Sequence, residues 1–374
     1  MAKTVILAVA GAGKTYHICH NIDPNKRNLI LAFTRENINN IQKELCDAHG
    51  FVPKLTTVST FDSFVYHHFV LPYEPSIAQY FGSPDFISSG ICTVDPPPKR
   101  INVKGGINIF NPHYTKKDNL AHYITKKGQY YCATLSELVL QIKKNRESLV
   151  KRVAKRVNLF FDCVLIDEFQ DFREYDYELI LSLANQLKDI VLVGDYHQHS
   201  VSATNNSGKP FQKRSNSVSY YEFIAGLKNA GFKVDLTTLD KSRRCSSDIC
   251  QYVSKKLGIN ILSYGNNLGA VIWVDENARA ILEDQEIIKL LYKDASRYSF
   301  RAINWSYSKG DTFDATCVIL TDKFEKLADD KFSTKEISES TINKLYVAMT
   351  RSRGNLYLMR YSTFKEIRNL YFKK

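Results

Sequence analysis

Short, strongly apolar, β-branched runs alternate with stretches of helical periodicity along the first half of the chain: 5–10 (VILAVA), 29–34 (LILAFT), 57–61 (TVSTF), 163–167 (CVLID) and 190–194 (IVLVG). Runs of this length without polar alternation suit strands covered on both faces, as in a parallel sheet with crossover helices. Each run ends directly in a polar or glycine signature: GAGKT, TRE, TFDS, DEFQD or GDYHQ. The carboxyl edge is where an open α/β sheet places its ligand, so the pattern puts the chemistry at one sheet edge.

Residues 65–158 break this rhythm. Pro96-Pro97-Pro98, Gly105-Gly106 and Asn111-Pro112 make a loop-rich stretch, followed by a predicted helix over 135–157 that carries Lys143, Lys144, Arg146, Lys151, Arg152, Lys155 and Arg156 against Glu137 and Glu147. Such a charge run is either a solvated helix face or a contact for a nucleic-acid backbone. The polar stretch from Thr204 to Ser217 reads as a loop or linker. Beyond it a second set of strands is predicted at 234–239, 270–274, 300–305, 316–320 and 356–359. The expected organisation is a first α/β domain from 1–64 with 159–203, an inserted, mostly helical subdomain at 65–158, a linker region at 204–232, and a second α/β domain at 233–374.

Composition sharpens this picture. A length of 374 residues exceeds what one core usually supports, and 44% hydrophobic with 24% charged residues is globular usage. Lys plus Arg number 51 against 39 for Asp plus Glu, a net charge of +12 that favours a polyanionic partner. Eight scattered cysteines form no CxxC pair; this argues for a reducing compartment and against a disulfide framework or zinc module, and the group His17, Cys19, His20 lacks a second ligand pair. The apolar run after Met1-Ala2-Lys3 resembles a short signal peptide, but it leads straight into GAGKT and is assigned as a buried strand. No later stretch has the roughly 18 apolar residues of a membrane span, so a cytoplasmic protein without membrane contact is expected.

Three groups of residues carry candidate chemistry. Residues 8–15 (AVAGAGKT) have the form of a phosphate loop with Ala8 in place of the first glycine. Backbone N–H groups of Ala10, Gly11, Ala12 and Gly13, with the Lys14 ammonium, suit a triphosphate, and the Thr15 hydroxyl suits Mg²⁺. Residues 164–172 (VLIDEFQDF) deliver two adjacent acids to a strand end. Asp167 suits the Mg²⁺ and Glu168 the orientation and deprotonation of an attacking water, with Gln198 of GDYHQ placed to sense the γ-phosphate. Arg244 and Arg351, both in the second half, suit stabilisation of charge on a transferring phosphoryl group.

Taken with LAFTRENINNIQKEL, TVSTFDSF, LDKSRRCSSDI, SKGDTFDATCVIL and YVAMTRSRGNLYL, these motifs occur in the order of superfamily 1 helicases, and the chain resembles the UvrD/Rep type. The resemblance implies two RecA-like P-loop NTPase domains (1A and 2A, with 65–158 as 1B), ATP and Mg²⁺ in the cleft between them, and single-stranded DNA or a single/double-strand junction across the top. It gives Arg244 and Arg351 γ-phosphate roles, adds Arg243 and Gly310 to the nucleotide residues, and places Phe33, Thr34, Arg35, Thr60, Phe61 and Lys309 on the nucleic acid. For Phe33, Phe61 and Trp305, core packing is expected at least as readily as base stacking.

The chain also departs from that family. The family carries an adenine-reading glutamine well upstream of the phosphate loop, whereas only 13 residues precede Lys14 here, so the resemblance does not extend to purine selectivity. Arg243 stands where a stacking tyrosine is usual, and Val201 to Asn205 replace the aromatic and arginine that wedge between bases. Thr312 replaces a glutamate, and GDTFD is similar to the RecD/Dda branch, while the other motifs favour 3′ to 5′ movement. The 65 residues from Arg244 to Lys309 leave no room for a large 2B insertion, so a near-minimal motor is expected, of a size and composition that suit a phage or mobile element. Two readings stand: a DNA-stimulated ATPase that translocates and unwinds, and a nucleotide-switched DNA-binding or assembly ATPase that works with a protein partner. RNA in place of DNA is a third, less favoured variant.

Overall fold

The computed structural model describes residues 2–103, 106–144, 147–199, 210–213, 216–265 and 267–373. Arg146 of the basic run, the linker positions 204–209, and Val201 to Asn205 lie outside the described residues.

Two parallel sheets organise the chain. The first contains β1 (Ala2–Leu7), β2 (Asn28–Ala32), β3 (Thr56–Thr60), β4 (Cys163–Asp167), β5 (Asp189–Gly194) and β6 (Lys233–Asp235), in the order β6-β1-β5-β4-β2-β3. The pairs β4–β5, β4–β2 and β2–β3 run parallel. All five residues of β2 are buried, as its unbroken apolar run requires. The second sheet contains β7 (Val271–Val274), β8 (Ile287–Leu291), β9 (Ala302–Asn304), β10 (Ala315–Ile319) and β11 (Leu356–Met359), in the order β7-β11-β10-β8-β9, with every pair parallel. The chain is therefore mixed α/β with parallel sheets, as the hydrophobic runs imply.

Contacts divide the chain into two compact units: Met1–Val5, Thr15–Val193 and Ser207–Lys233 in one, and Ile6–Lys14, Gly194–Asn206 and Val234–Lys374 in the other. The stretch 65–158 belongs to the first unit and combines helices with two-stranded pairs such as Arg100–Val103 with Ile107–Phe110.

Helix boundaries follow local chemistry. The helix α1 (Lys14–Asn21) begins inside the GAGKT turn. In α2 (Arg35–His49) the Thr34 hydroxyl accepts from the Asn37 N–H, and Gly50 closes the end in the left-handed conformation, donating to the Cys46 carbonyl. The continuous helix expected over 135–157 is instead two, α3 (Leu135–Gln141) and α4 (Leu149–Phe160), separated by a tight antiparallel pair of Lys143–Lys144 with Glu147–Ser148. Ile142 leaves α3 in an extended conformation, and Ser148 opens α4 by accepting from the Lys151 N–H. The break turns one predicted basic face into two segments. Two further expectations need correction. The run 234–239, read as opening the second sheet, supplies the edge strand β6 of the first, and β8 was not anticipated because Lys289 interrupts its apolar run.

Candidate functional site

In the first unit, β4 delivers Asp167 to its carboxyl end, where the side chain is buried. The Thr15 hydroxyl, one residue into α1, donates to Asp167 Oδ2 at 2.7 Å. A hydroxyl and a carboxylate so placed form a compact oxygen pair, which is the donor set a magnesium ion uses when phosphates and waters complete its shell. Asp167 Oδ1 accepts the Glu168 N–H at 2.9 Å. Glu168 itself has φ of 51°, a left-handed conformation uncommon for a side chain with a Cβ, and its carboxylate accepts from Gln170 Nε2. The sharp turn directs Glu168 away from the strand that buries its neighbour.

The second unit holds the phosphate loop up to Lys14. Gly11 has φ of 71° and Gly13 φ of 85°, so the loop needs glycine at both positions. At Gly11 space imposes the same demand: a Cβ there would lie 2.7 Å from Arg244 Cβ and 2.8 Å from Ser242 Oγ. The Arg243 N–H donates to the Gly11 carbonyl at 2.9 Å, and the Val9 N–H to the Leu239 carbonyl at 3.0 Å. The LDKSRR segment is thus laced to the loop, and Arg244 stands directly against it. Arg244 Nη1 donates to the Thr350 carbonyl at 3.1 Å.

Arg351 is fully buried just beyond the helix α5 (Glu339–Met349). Its hydrogen-bond partners are the carbonyls of Val347 (2.8 Å), Ser308 (3.5 Å) and Asp311 (3.4 Å) and the Thr350 hydroxyl (3.4 Å). Burial, reinforced by the neighbouring Arg244 charge, pulls its pKa down to about 9, so it stays protonated at neutral pH in surroundings that under-compensate its charge.

A hydroxyl that sequence reading missed connects these parts of the second unit. The Ala10 N–H donates to Tyr346 Oη at 2.8 Å, and that hydroxyl donates to Asp195 Oδ2 at 3.3 Å. Gln198 Nε2 donates to the same Asp195 oxygen at 2.7 Å, and Lys309 Nζ donates to the Gln198 carbonyl at 3.5 Å. The loop amide, the helix bearing Tyr346 and the GDYHQ turn therefore share one buried network. His197 and His199 flank it, and burial pushes both down to about 4, which keeps them neutral. Tyr346 and Asp195 lie inside the YVAMTR and GDYHQ runs, so their motifs were visible, but their hydrogen bond was not.

The remaining sequence candidates sit as follows. Thr34 and Thr60 spend their hydroxyls capping helices, accepting from the Asn37 and Ser63 N–H groups at 3.1 and 3.3 Å. Arg35 is exposed, and Phe33 is half-buried between the Phe172 edge, 6.0 Å away, and the Arg173 guanidinium at 5.6 Å. Phe61 is a correction: at 1% exposure, with its ring 4.7 Å from that of Phe172, it is core and presents no face to a base. Trp305 is equally buried, its indole N–H donating to the Leu290 carbonyl at 2.9 Å. Arg243 is exposed with its guanidinium 4.7 Å from the Tyr264 ring centroid, a cation–π stack already made within the protein. Gly310 has φ of 92° and open space around it. His20 pairs with Glu44 at 2.9 Å, and no metal-like cluster of His, Cys, Asp and Glu occurs among the described residues. Nor is any described helix long and apolar enough to cross a membrane.

No curated protein matches the sequence significantly. Among solved structures, the helicase of PRRSV is similar over 98% of this chain and 54% of its own length, at 13% identity and a TM-score of 0.44. Arterivirus nonstructural protein 10, a helicase solved with DNA, is similar over 95% and 60% respectively, at 12% identity and a TM-score of 0.45. The chain thus spans little more than half the length of these proteins. Residues 2–204, which hold the phosphate loop, DEFQD and GDYHQ, match the AAA domain family. With that match over more than half of its length, the chain belongs to the AAA domain family.

Proposed function

We propose that the protein is a superfamily 1 motor of the UvrD/Rep type, hydrolysing ATP to move along single-stranded DNA in the 3′ to 5′ direction. The observation that carries this reading is the 2.7 Å contact between the Thr15 hydroxyl and Asp167, with Glu168 turned out of the strand beside it. It supplies a metal-binding oxygen pair and an adjacent base. Thr15 and Asp167 would hold Mg²⁺, which when bound neutralises phosphate charge. Glu168 accepts the proton of the attacking water, and the loop amides with Lys14 hold the phosphates. Arg244 and Arg351 offset charge that develops on the transferring group. Gln198, tied through Asp195 and Tyr346 to the loop, reports the state of the phosphates to the rest of the second unit. The net charge of +12 supports a nucleic-acid track.

The nucleotide-switched assembly ATPase is favoured by one observation: Phe61 and Trp305, two of the three candidate stacking rings, are core residues. A motor short of stacking platforms grips bases less firmly, at about 1–3 kcal/mol per lost stack.

Steady-state ATP hydrolysis without polymer, with single-stranded DNA and with single-stranded RNA, at low and moderate salt, separates the readings. Strong stimulation by DNA that persists at moderate salt supports the motor, and polymer-independent hydrolysis supports the switch. Lys14→Ala is expected to lose nucleotide binding, whereas Glu168→Gln keeps binding and loses turnover by two or more orders of magnitude. Normal turnover in Glu168→Gln refutes the assignment of the base.

A further inference from the structure

A second concave site lies in the second unit, away from the phosphate loop. In the sheet order β7-β11-β10-β8-β9, the strands β8 and β10 are parallel neighbours. The chain leaves β8 toward β9 on one side and leaves β10 toward β11 on the other. Connections that diverge from adjacent parallel strands open a crevice at their carboxyl ends, the place where α/β sheets bind ligands. A cavity of about 340 Å³ occupies this position, lined by residues that follow β8 (Tyr292, Lys293, Asp294) and β10 (Thr321, Asp322, Lys323), and by Tyr361 and Arg368 near the end of the chain. Its volume is within the roughly 300–1,000 Å³ range of small-molecule sites.

Its polar groups are incompletely used. Thr321 Oγ1 and Arg368 Nε are both buried without a hydrogen-bond partner, although Arg368 Nη1 donates to the Tyr361 hydroxyl at 3.3 Å. Two orphaned polar atoms on one cavity are costly unless something fills it. Three cations (Lys293, Lys323, Arg368) face two acids, and one of these, Asp294, is engaged by Arg297 at 3.6 Å. Asp294 has φ of 60°, a strained conformation held where the chain turns out of β8 into the crevice wall. Gly310 and Arg351 precede β10 and β11, at the amino edge of the same sheet, a strand length of about 16 Å from the carboxyl edge. The crevice is therefore separate from the arginines assigned to hydrolysis.

We propose that this crevice binds a mononucleotide, with the base against its tyrosines and the phosphate toward Arg368, Lys293, Lys323 and the Thr321 hydroxyl. The aromatic residues Tyr292, Tyr361 and Phe364, the guanidinium and the hydroxyl of this lining together match a planar ring that carries a phosphate, and neither part alone uses the whole lining.

Calorimetric titration of the Lys14→Ala chain with AMP, CMP and inorganic phosphate tests the site with the phosphate loop disabled. One saturable site for a nucleoside monophosphate is expected, weakened at least tenfold by adding Arg368→Met and at least threefold by Thr321→Val, with the melting temperature of the empty protein not lowered by Thr321→Val. Thr321→Val keeps the side-chain shape, so it remains informative where Arg368→Met fails to fold. The absence of saturable binding, or binding indifferent to both substitutions, overturns the proposal. Inorganic phosphate binding as tightly as AMP overturns the nucleotide assignment, and a 5′-phosphorylated oligonucleotide binding more tightly than AMP overturns the free-ligand assignment in favour of a strand end. Two sites in Lys14→Ala would instead show that the loop lysine is dispensable, a failure of the hydrolytic reading that leaves the Arg368-dependent component measurable.

Discussion

Replacing Tyr346 by Phe removes one oxygen atom and leaves the ring in place. In the native chain that oxygen accepts the Ala10 N–H at 2.8 Å and donates to Asp195 Oδ2 at 3.3 Å, and all three residues are buried. Asp195 Oδ2 keeps its 2.7 Å bond from Gln198, so the carboxylate loses a secondary partner. The Ala10 amide loses its acceptor where water does not reach. An orphaned buried group costs about 1–3 kcal/mol, so a stability loss of about 2 kcal/mol is expected, dominated by that amide. The functional consequence is a split between kinetic parameters. Lys14, Gly13 and Thr15 are untouched, so KM for ATP is expected to change by less than about threefold, while a loop no longer held to Asp195 and Gln198 loses about tenfold in kcat, equivalent to about 1.4 kcal/mol of transition-state stabilisation. Urea unfolding and steady-state hydrolysis of purified wild-type and Tyr346→Phe proteins measure both. A variant within 0.5 kcal/mol of wild type and unchanged in kcat would refute the view that this hydroxyl positions the loop. A variant that loses stability while kcat and KM stay together would reduce Tyr346 to a packing residue.

Three further outcomes are expected. Gly11→Ala forces a Cβ to within 2.7 Å of Arg244 Cβ at φ of 71°, whereas Gly310→Ala at φ of 92° meets open space. Thermal unfolding and ATP titration are expected to show a loss of at least about 2 kcal/mol with abolished nucleotide binding for the first, and about 1 kcal/mol with binding retained for the second. His199, buried and pushed down to about 4, favours the fold only while neutral, so stability is full above its unfolded pKa near 6.5 and falls as pH drops from 6.5 towards 4. That interval corresponds to about 3 kcal/mol, to which His197 and His68, displaced the same way, add; urea midpoints across this range should fall less steeply in His199→Gln, and parallel slopes would contradict the assignment. Arg351→Lys is expected to lower kcat by tenfold or more, because an ammonium cannot meet the Val347, Ser308 and Asp311 carbonyls with one planar fork, and single-turnover hydrolysis at saturating ATP checks it.

What was legible in the sequence follows a physical rule. A strand buried on both faces must be continuously apolar, so β1, β2, β4, β5, β10 and β11 stood out, and the polar residues that end such runs fell at the sheet edge. Asp167 was readable for this reason, and so was Glu168, because the acid after a strand-end acid has to leave the sheet. Elements that break the rule were lost. In β8, Lys289 sits fully buried at the centre of the strand and satisfies its ammonium on the Asp284 carbonyl, which the run IIKLL does not announce. The basic stretch from Lys143 to Arg156 has helical composition throughout, but Ile142 exits in an extended conformation and the pair Lys143–Lys144 with Glu147–Ser148 intervenes. Composition averages over such a turn, whereas hydrogen bonding decides it.

The same distinction explains the site. Motifs mark residues whose chemistry is needed at a position along the chain, and they name Lys14, Asp167, Gln198 and Arg351 one at a time. They are silent about bonds between motifs, because Ala10 and Tyr346 are 336 residues apart and nothing in either run requires the other. Phe61 shows the converse: its place in TVSTFDSF suggested a ring for a base, yet a phenylalanine directly after an inward-facing strand is also where a helix must begin to cover the sheet, and its contact with Phe172 shows which demand prevailed. A residue's role in this chain is therefore set by which unsatisfied group the fold brings to it. On that criterion the loop amide held by Tyr346, the under-compensated charge of Arg351 and the orphaned atoms of Thr321 and Arg368 are where substitutions will be most informative.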